Sequence, residues 1–402
     1  MNYTGVCMLT EYHAVDDLCE LAVMHNQTKR KVGRIKALFA PNEKKALIAI
    51  LQNHGQQEAT GVYKVPVGIC IEISFKGLKK ELLVKPTYKR LAIDYDWKEC
   101  TWTKLNLAIY QNVNLTNLKK RVWLNPLVTK EDYLDYLLMA AEKMLPFLQN
   151  RLLTVKRYPD GVEAEGFYQK STPEYAPEFV EKVLHNGNLF TICDSTETLL
   201  WLGNQATIEF HIPFNTYQSN YPAEIVFDLD PPSIGNLDVA VKAALEMKKI
   251  FDQFQLMAFA KLSGRKGIQI HLPLNDGKIS YQETRVFTEF IARYLIDLFP
   301  DLFTIERLKK NRGNRLYIDY IQHEKEKTII CPYSPRETSI PGIAVPLYWS
   351  EIKPGITINE YLLPTVKKRL ASGINPFEEY FDVKQTAAVK HIIDFIQTKN
   401  ST

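Results

Sequence analysis

The sequence has no CxxC pair. Its six cysteines, Cys7, Cys19, Cys70, Cys100, Cys193 and Cys331, are scattered, so their spacing supports neither a zinc knuckle nor a disulfide framework. No apolar stretch approaches the roughly 20 residues of a membrane span. The N-terminus, MNYTGVCMLTEYHAVDD, lacks the basic start and apolar run of a signal peptide. The cytoplasm is therefore the expected compartment, with no membrane partner and with reduced, structural thiols. Net charge is also small: +4 does not decide a partner, although a nucleic-acid binder needs only a local basic surface. Internal repeats and low-complexity tracts are lacking too. What remains is a globular composition, 46% apolar and 24% charged, over 402 residues, more than one ordinary core holds. Two or three domains are expected.

Residues 1 to about 106 carry short strand-like runs at 61–75 and 80–95, with a helix over 40–53, a pattern that suits a small barrel or sandwich. The polar, basic stretch 112–130 reads as a boundary or entry loop. A helix is expected over 131–148, where Tyr133, Tyr136, Leu137, Ala140, Met144 and Leu148 recur at helical spacing. Strands and helices then mix. The spacing predicts strands at 152–158, 206–211, 224–229, 256–262, 267–272 and 315–321, helices at 178–185, 237–254 and 281–298, and a short surface helix at the C-terminal end. Adjacent strands in a mixed order argue for an α+β fold rather than a doubly wound parallel sheet.

The stretch EIVFDLDPPSIG, 224–235, is the most informative. Strand side chains alternate, so Asp228 and Asp230 share a face while Leu229 points to the other, and Pro231 and Pro232 stop the strand beyond them. Two like charges there repel unless a cation lies between them. Asp319, in the apolar strand NRLYIDYIQ, is the best third acid, because an unpaired charge in such a strand is costly. Three such acids suit two Mg²⁺ or Mn²⁺ ions, the clamp used for in-line phosphoryl displacement. The same spacing also fits two acids capping the following turn and helix, with Asp319 in a salt bridge. In KLSGRKGIQIHLPL, 261–274, Ser263, the glycine turn and Lys266 offer a hydroxyl, backbone N–H groups and an ammonium as a phosphate cradle. A plain glycine hairpin fits that stretch as well. Gln269 and His271 share one face of the strand that follows, and His211 ends another strand beside Glu209.

These stretches occur in one order. Together with LTNLKKRVW, WLGNQATIEFH and CPYSPRETSIPGIAVPLYW, they resemble the polymerase domain of bacterial LigD, in the archaeo-eukaryotic primase superfamily, from about residue 113 to 380. The resemblance implies an RRM-like catalytic sheet packed against a second small sheet. It implies DNA-directed nucleotide addition, preferentially of ribonucleotides, at gaps and double-strand breaks in non-homologous end joining. Asp228, Asp230 and Asp319 align with the metal-binding carboxylates. His211, Ser263, Lys266, Gln322, Arg336, Lys156 and Phe167 fall where the family contacts the incoming NTP, and Tyr168 where it stacks near the template. Asn117, Lys120 and Lys130 match a pocket for a DNA 5′-phosphate. Where relatives carry a histidine this chain has Gln269, and either Gln269 or His271 is expected to replace that contact. His323 stands where an asparagine is usual. By the same analogy the partners are DNA ends or gaps, Ku and a separate ligase, and the chain acts as a monomer or DNA-bridged dimer.

Residues 61–101 are similar to the end of the OB domain of ATP-dependent ligases, although Ala92 and Tyr95 replace an arginine and a lysine of that motif. No K-x-D-G nucleophile accompanies it in this chain; KRYPDG only mimics one. The expected organisation is thus an OB-like domain over 1–106 without ligase activity, a primase-polymerase domain over 113–380 and a helical tail over 381–402. TKRKVGRIK, 28–36, would give the barrel a basic surface for single strands, or is a solvated face. Two other functions compete with polymerisation: a non-catalytic DNA-end binding module, and a primase that starts chains without a primer.

Overall fold

The computed structural model describes residues 2–25, 28–233, 237–275 and 277–400; the last two residues of the expected tail lie outside it. Residues Met1–Asn114 and Leu115–Thr402 form two compact units. The first is a curled antiparallel sheet, compatible with a small barrel-like domain. Its long strand Tyr3–His13 pairs with Cys70–Phe75 through its first half, with Val62–Lys64 at its end, and with Leu18–His25 on the other edge. A register shift between Leu9 and Glu11 marks the bend. Tyr12, Leu21, Val23, Val32, Ile71 and Ile73 fill the interior, and helix Pro41–His54 adds Leu47 and Leu51. The basic run 28–36 is a strand in which three of the five basic side chains are matched: Lys31 and Arg34 share Glu20, and Arg30 pairs with Glu81.

The second unit is α+β, as expected. Its larger sheet runs, in space, Phe303–Thr304, Leu316–Asp319, Glu224–Asp230, Ile268–Pro273, Phe259–Leu262, Pro346–Leu347. With helices Leu237–Gln253 and Tyr281–Leu298 interposed, the four central strands follow the chain as βαββαβ, the split arrangement of RRM-like sheets. Alternation explains the layering. Ile225, Phe227 and Leu229 are fully buried, with Phe227 against Phe251 and Phe287 of the two helices. The even-numbered residues of that strand take the opposite face. A smaller antiparallel sheet orders Phe167–Gln169, Thr154–Arg157, Thr207–Pro213 and Thr328–Ile330.

Helix Lys130–Leu148 begins at a capping box between Thr129 and Asp132, and Tyr281–Leu298 at one between Ser280 and Glu283; both match the expected spans to within a residue. The helix expected over 178–185 is instead the first arm of a hairpin, Glu181–His185 with Asn188–Ile192. Asn186 and Gly187 join the arms with φ of 48° and 77°, the backbone an Asn-Gly turn supplies at little cost. Seven or eight residues with no tertiary face do not hold a helix against that turn. Thr196–Asn204, capped by Ser195, and Leu363–Ala371 are helices the periodicity did not reveal. The 112–130 segment holds the unit boundary and then a hairpin, Arg121–Leu124 with Leu127–Thr129. The C-terminal helix Thr386–Asn400 buries Val389, Ile393 and Ile396 and ties Lys390 to Glu283.

Candidate active site

Strand register makes the site. Asp228 stands opposite Asp319 on one side and Gln269 on the other, and Gln269 stands opposite Lys261. Directly opposed residues share a sheet face. One transverse row therefore reads Asp319, Asp228, Gln269, Lys261 across four strands. Asp230, two residues on and paired with Tyr317, lies on the same face in the next row.

Asp228 feels that crowding: burial pushes its carboxyl up to about 6, a hydrogen bond from Gln269 opposes this, and Asp230 and Asp319 add to the rise by repulsion. The acids are not drawn together as ligands. Asp230 Oδ1 is 2.8 Å from Lys266 Nζ and its Oδ2 is 3.6 Å from Arg312, while Asp319 Oδ1 accepts from the Gln322 N–H at 2.9 Å and Tyr317 Oη at 3.2 Å. Among the described residues no three His, Cys, Asp or Glu side chains are grouped to hold a metal ion. The backbone register brings three hard oxygen donors onto one face of the sheet. Their rotamers are set by the cations and donors already beside them.

The turn after Leu262 is built around one hydroxyl. Ser263 Oγ accepts from the Gly267 N–H at 3.0 Å and, more weakly, from those of Arg265 and Lys266 at 3.4 Å. Gly264 has φ +74°, and a Cβ there would lie 2.7 Å from the Ala344 nitrogen; one on Gly267 would lie 2.5 Å from the Leu229 carbonyl oxygen. Both glycines are required by close backbone approach. A cleft of about 610 Å³ opens beside the turn, walled by Gly264, Arg265, Glu337 and Thr338.

On the smaller sheet Lys156 lies opposite both Tyr168 and Glu209, with its ammonium 5.3 Å from the Tyr168 ring centre and 3.3 Å from Glu337. Glu209 is fully buried and is the hub: its carboxylate lies 2.8 Å from His211 Nε2 and 2.8 Å from Arg336 Nε, and accepts from the Glu337 N–H at 3.1 Å. Burial would raise its carboxyl, but those hydrogen bonds and the Arg336 charge outweigh it and hold the group well below the usual carboxylate range. Phe167 and Tyr168 are exposed aromatics, the first under the Arg157 guanidinium at 5.4 Å.

Three expected contacts are otherwise engaged. His271 does not face a ligand: it is fully buried, donates from Nδ1 to the Glu224 carboxylate at 2.9 Å, and packs on Phe377 and Tyr380. Its position at the far end of the strand, opposite Val226, puts it in the core rather than at the acids. Gln269 is enclosed between Lys261 and Asp228, to which its Nε2 donates at 3.2 Å. Gln322 spends its amide on the Thr328 carbonyl at 2.8 Å. His323, buried against Phe214 and bonded to Thr284, is a core residue.

Residues 129–377 match the family model for the LigD primase-polymerase domain. The chain belongs to the LigD primase-polymerase family. It is similar to the bifunctional non-homologous end joining protein LigD of Bacillus subtilis, 36% identical over 398 residues, 98% of this chain and 65% of that protein. It is also similar to the multifunctional non-homologous end joining protein LigD of Mycolicibacterium smegmatis, 32% identical over 250 residues, 60% of this chain and 33% of that protein. Among solved structures it resembles the polymerase domain of Mycobacterium tuberculosis ligase D in complex with DNA, with 29% identity and a TM-score of 0.62 over 67% of this chain and 98% of that one. The chain thus spans just under two thirds of the length of its Bacillus relative and about a third of its mycobacterial one.

Within this LigD polymerase fold, Asn117, Lys120 and Lys130 line one pocket of about 200 Å³, with Arg121, Arg157 and Asn204. Lys130 is nearly buried and donates to the Thr116 carbonyl at 2.7 Å. Desolvation and the neighbouring Lys120 ammonium push its pKa down to about 8. Lys120 reaches Asp160 at 3.1 Å. Sequence reasoning missed Lys261, Glu337 and Arg312, and passed over Glu209. Lys261 has no exposed surface, and burial brings its ammonium down to about 7. Only the register that sets it beside Gln269 marks it out, and AKLSG carries no local sign of it.

Proposed function

We propose that this chain is a DNA-directed nucleotidyltransferase that adds nucleotides, preferentially ribonucleotides, to 3′-hydroxyl ends at gaps and double-strand breaks in non-homologous end joining. The observation that carries the reading is the register that sets Asp319 directly across from Asp228, with Asp230 on the same face. Their oxygens suit hard divalent cations, Mn²⁺ or Mg²⁺, which would offset both the burial that raises Asp228 and the repulsion from Asp230 and Asp319 that adds to it. Two such ions would lower the pKa of the attacking hydroxyl and neutralise the pyrophosphate leaving group.

The chain's own residues do the rest. Lys266, now 2.8 Å from Asp230, exchanges that carboxylate for the triphosphate of the NTP, and the Ser263 hydroxyl and the N–H groups it organises lie against the same anion. His211 and Arg336, both held by Glu209, bind the sugar and triphosphate, with Lys156 beside them. Tyr168 offers a stacking face to the template. Asn117, Lys120 and Lys130 receive the 5′-phosphate across the gap, where a dianion repays the cost of holding a lysine out of water.

In this reading the chain works in the cytoplasm, at the nucleoid, with Ku and a separate ligase as partners, as a monomer or a DNA-bridged dimer. The N-terminal unit contributes no nick sealing. A gap-filling assay with labelled NTPs and Mn²⁺ tests the proposal. Asp228→Ala and Asp230→Ala should each abolish extension and leave DNA binding intact; extension surviving in either variant refutes the site.

A further inference from the structure

The transverse row through the acids ends in a group that no part of the reaction above uses. Lys261 is fully buried, and its Nζ donates to Gln269 Oε1; the same amide donates through Nε2 to Asp228 Oδ1 at 3.2 Å. An ammonium has only donors and a carboxylate only acceptors, so an amide between them has a single orientation that satisfies both. With the amide turned over, the ammonium would meet an NH₂ group and the carboxylate would meet an oxygen. Gln269 is itself nearly buried, and no such inversion could be relieved by solvent.

We propose that Lys261 is a positioning residue for nucleotidyl transfer: by fixing the Gln269 amide it sets the rotamer of Asp228 from within the sheet. The inference rests on the reading of Asp228 as a metal-binding carboxylate. It gives a task to a fully buried lysine that no ion pair among the described residues holds in place. It also gives Gln269 a task other than contact with the NTP: donor to the central acid. The three groups stand in register on adjacent strands, so the relay needs no loop to order it. Burial accounts for the depressed basicity of the ammonium, and the attraction of Asp228 works against that depression.

The test uses the full chain freed of metal by chelation and titrated with Mn²⁺ alone, free Mn²⁺ being read by electron paramagnetic resonance. Lys261→Met and Gln269→Leu should each weaken Mn²⁺ binding about tenfold, the scale of a hydrogen bond to a charged group, and the double variant should be no weaker than the worse single one. Extension should lose kcat by a similar factor while KM for the NTP stays within about twofold. Wild-type Mn²⁺ affinity in Lys261→Met, or two effects that simply add, would overturn the relay. If Lys261→Met does not fold, Gln269→Glu decides the point. It keeps an ion pair with Lys261 but offers Asp228 no donor, so affinity must fall; unchanged affinity overturns the relay. Asp228→Ala is the control that separates the two readings. Retained Mn²⁺ binding and extension there defeats the proposed function itself, whereas their loss beside a normal Lys261→Met defeats the relay alone.

Discussion

Replacing Lys130 by methionine should make the free protein more stable and a worse reader of DNA ends. In the folded chain the Lys130 ammonium titrates near 8 instead of 10.5, because it is desolvated and faces Lys120. A displacement of that size corresponds to a cost of about 3 kcal/mol for holding the charge in place at pH 7. Residual solvent access reduces this to about 2 kcal/mol. Methionine keeps the volume and removes the charge, but gives up the hydrogen bond to the Thr116 carbonyl, worth about 1 kcal/mol. The net gain, about 1 kcal/mol, is about 2 °C in Tm for a unit of this size.

The sign is fixed by linkage. A lysine whose folded pKa is depressed burdens the native state fully below pH 8, and the burden fades as pH rises from 8 towards 10.5. The advantage of Lys130→Met should therefore be largest at pH 7 and vanish or reverse near pH 10 in calorimetric scans. In parallel, fluorescence anisotropy on gapped DNA should show the wild type preferring a 5′-phosphate over a 5′-hydroxyl, most strongly below pH 8, and the variant losing that preference. A stability difference that does not change with pH, or a 5′-phosphate preference that survives, would refute both the burden and the pocket.

Gly267→Ala would put a Cβ 2.5 Å from the Leu229 carbonyl oxygen, between the two paired acids. It should cost about 3 kcal/mol of stability and depress extension together, visible as a lowered Tm and lost gap filling. Arg151→Met leaves Glu224 as an unpaired charge in the core and should cost about 3–5 kcal/mol in chemical denaturation, part of it recovered in the double variant with Glu224→Gln. Tyr168→Ala should weaken binding of a single-stranded overhang by about 1–3 kcal/mol, with Tyr168→Phe close to wild type; equal affinities would remove Tyr168 from the template path.

The catalytic sheet was legible because its strands are short apolar runs, two of which end in aspartate. The run Ile225, Val226, Phe227 closing on Asp228 and Asp230 marks the strand and its acidic end, and the long amphipathic helices after it are marked by periodicity, the second also by its Ser280 cap. The hairpin 181–192 was misread because its apolar residues come as adjacent pairs, Val183-Leu184 and Leu189-Phe190, instead of alternating along each arm; only Asn186-Gly187 carried the signal. His271 looked like a ligand because alternation places it on the same face as Gln269, and one strand cannot tell which rows of a face reach a cleft. Lys261 was invisible for the converse reason: its meaning depends on neighbours from two other strands.

Glu224 lies at the opposite end of the strand that bears the acids, fully buried and gripped by Arg151, His271 and Tyr380. A strand has a repeat of two, so sliding it by a single residue would deliver both aspartates into the phenylalanine layer and leave Glu224 stranded among the helices. That network therefore works as a dowel, making the half-way alignments prohibitively bad. Length changes in this part of the chain are tolerable only outside the segment between the dowel and the acids, which leaves the loops on either side as the places where related sequences are free to grow.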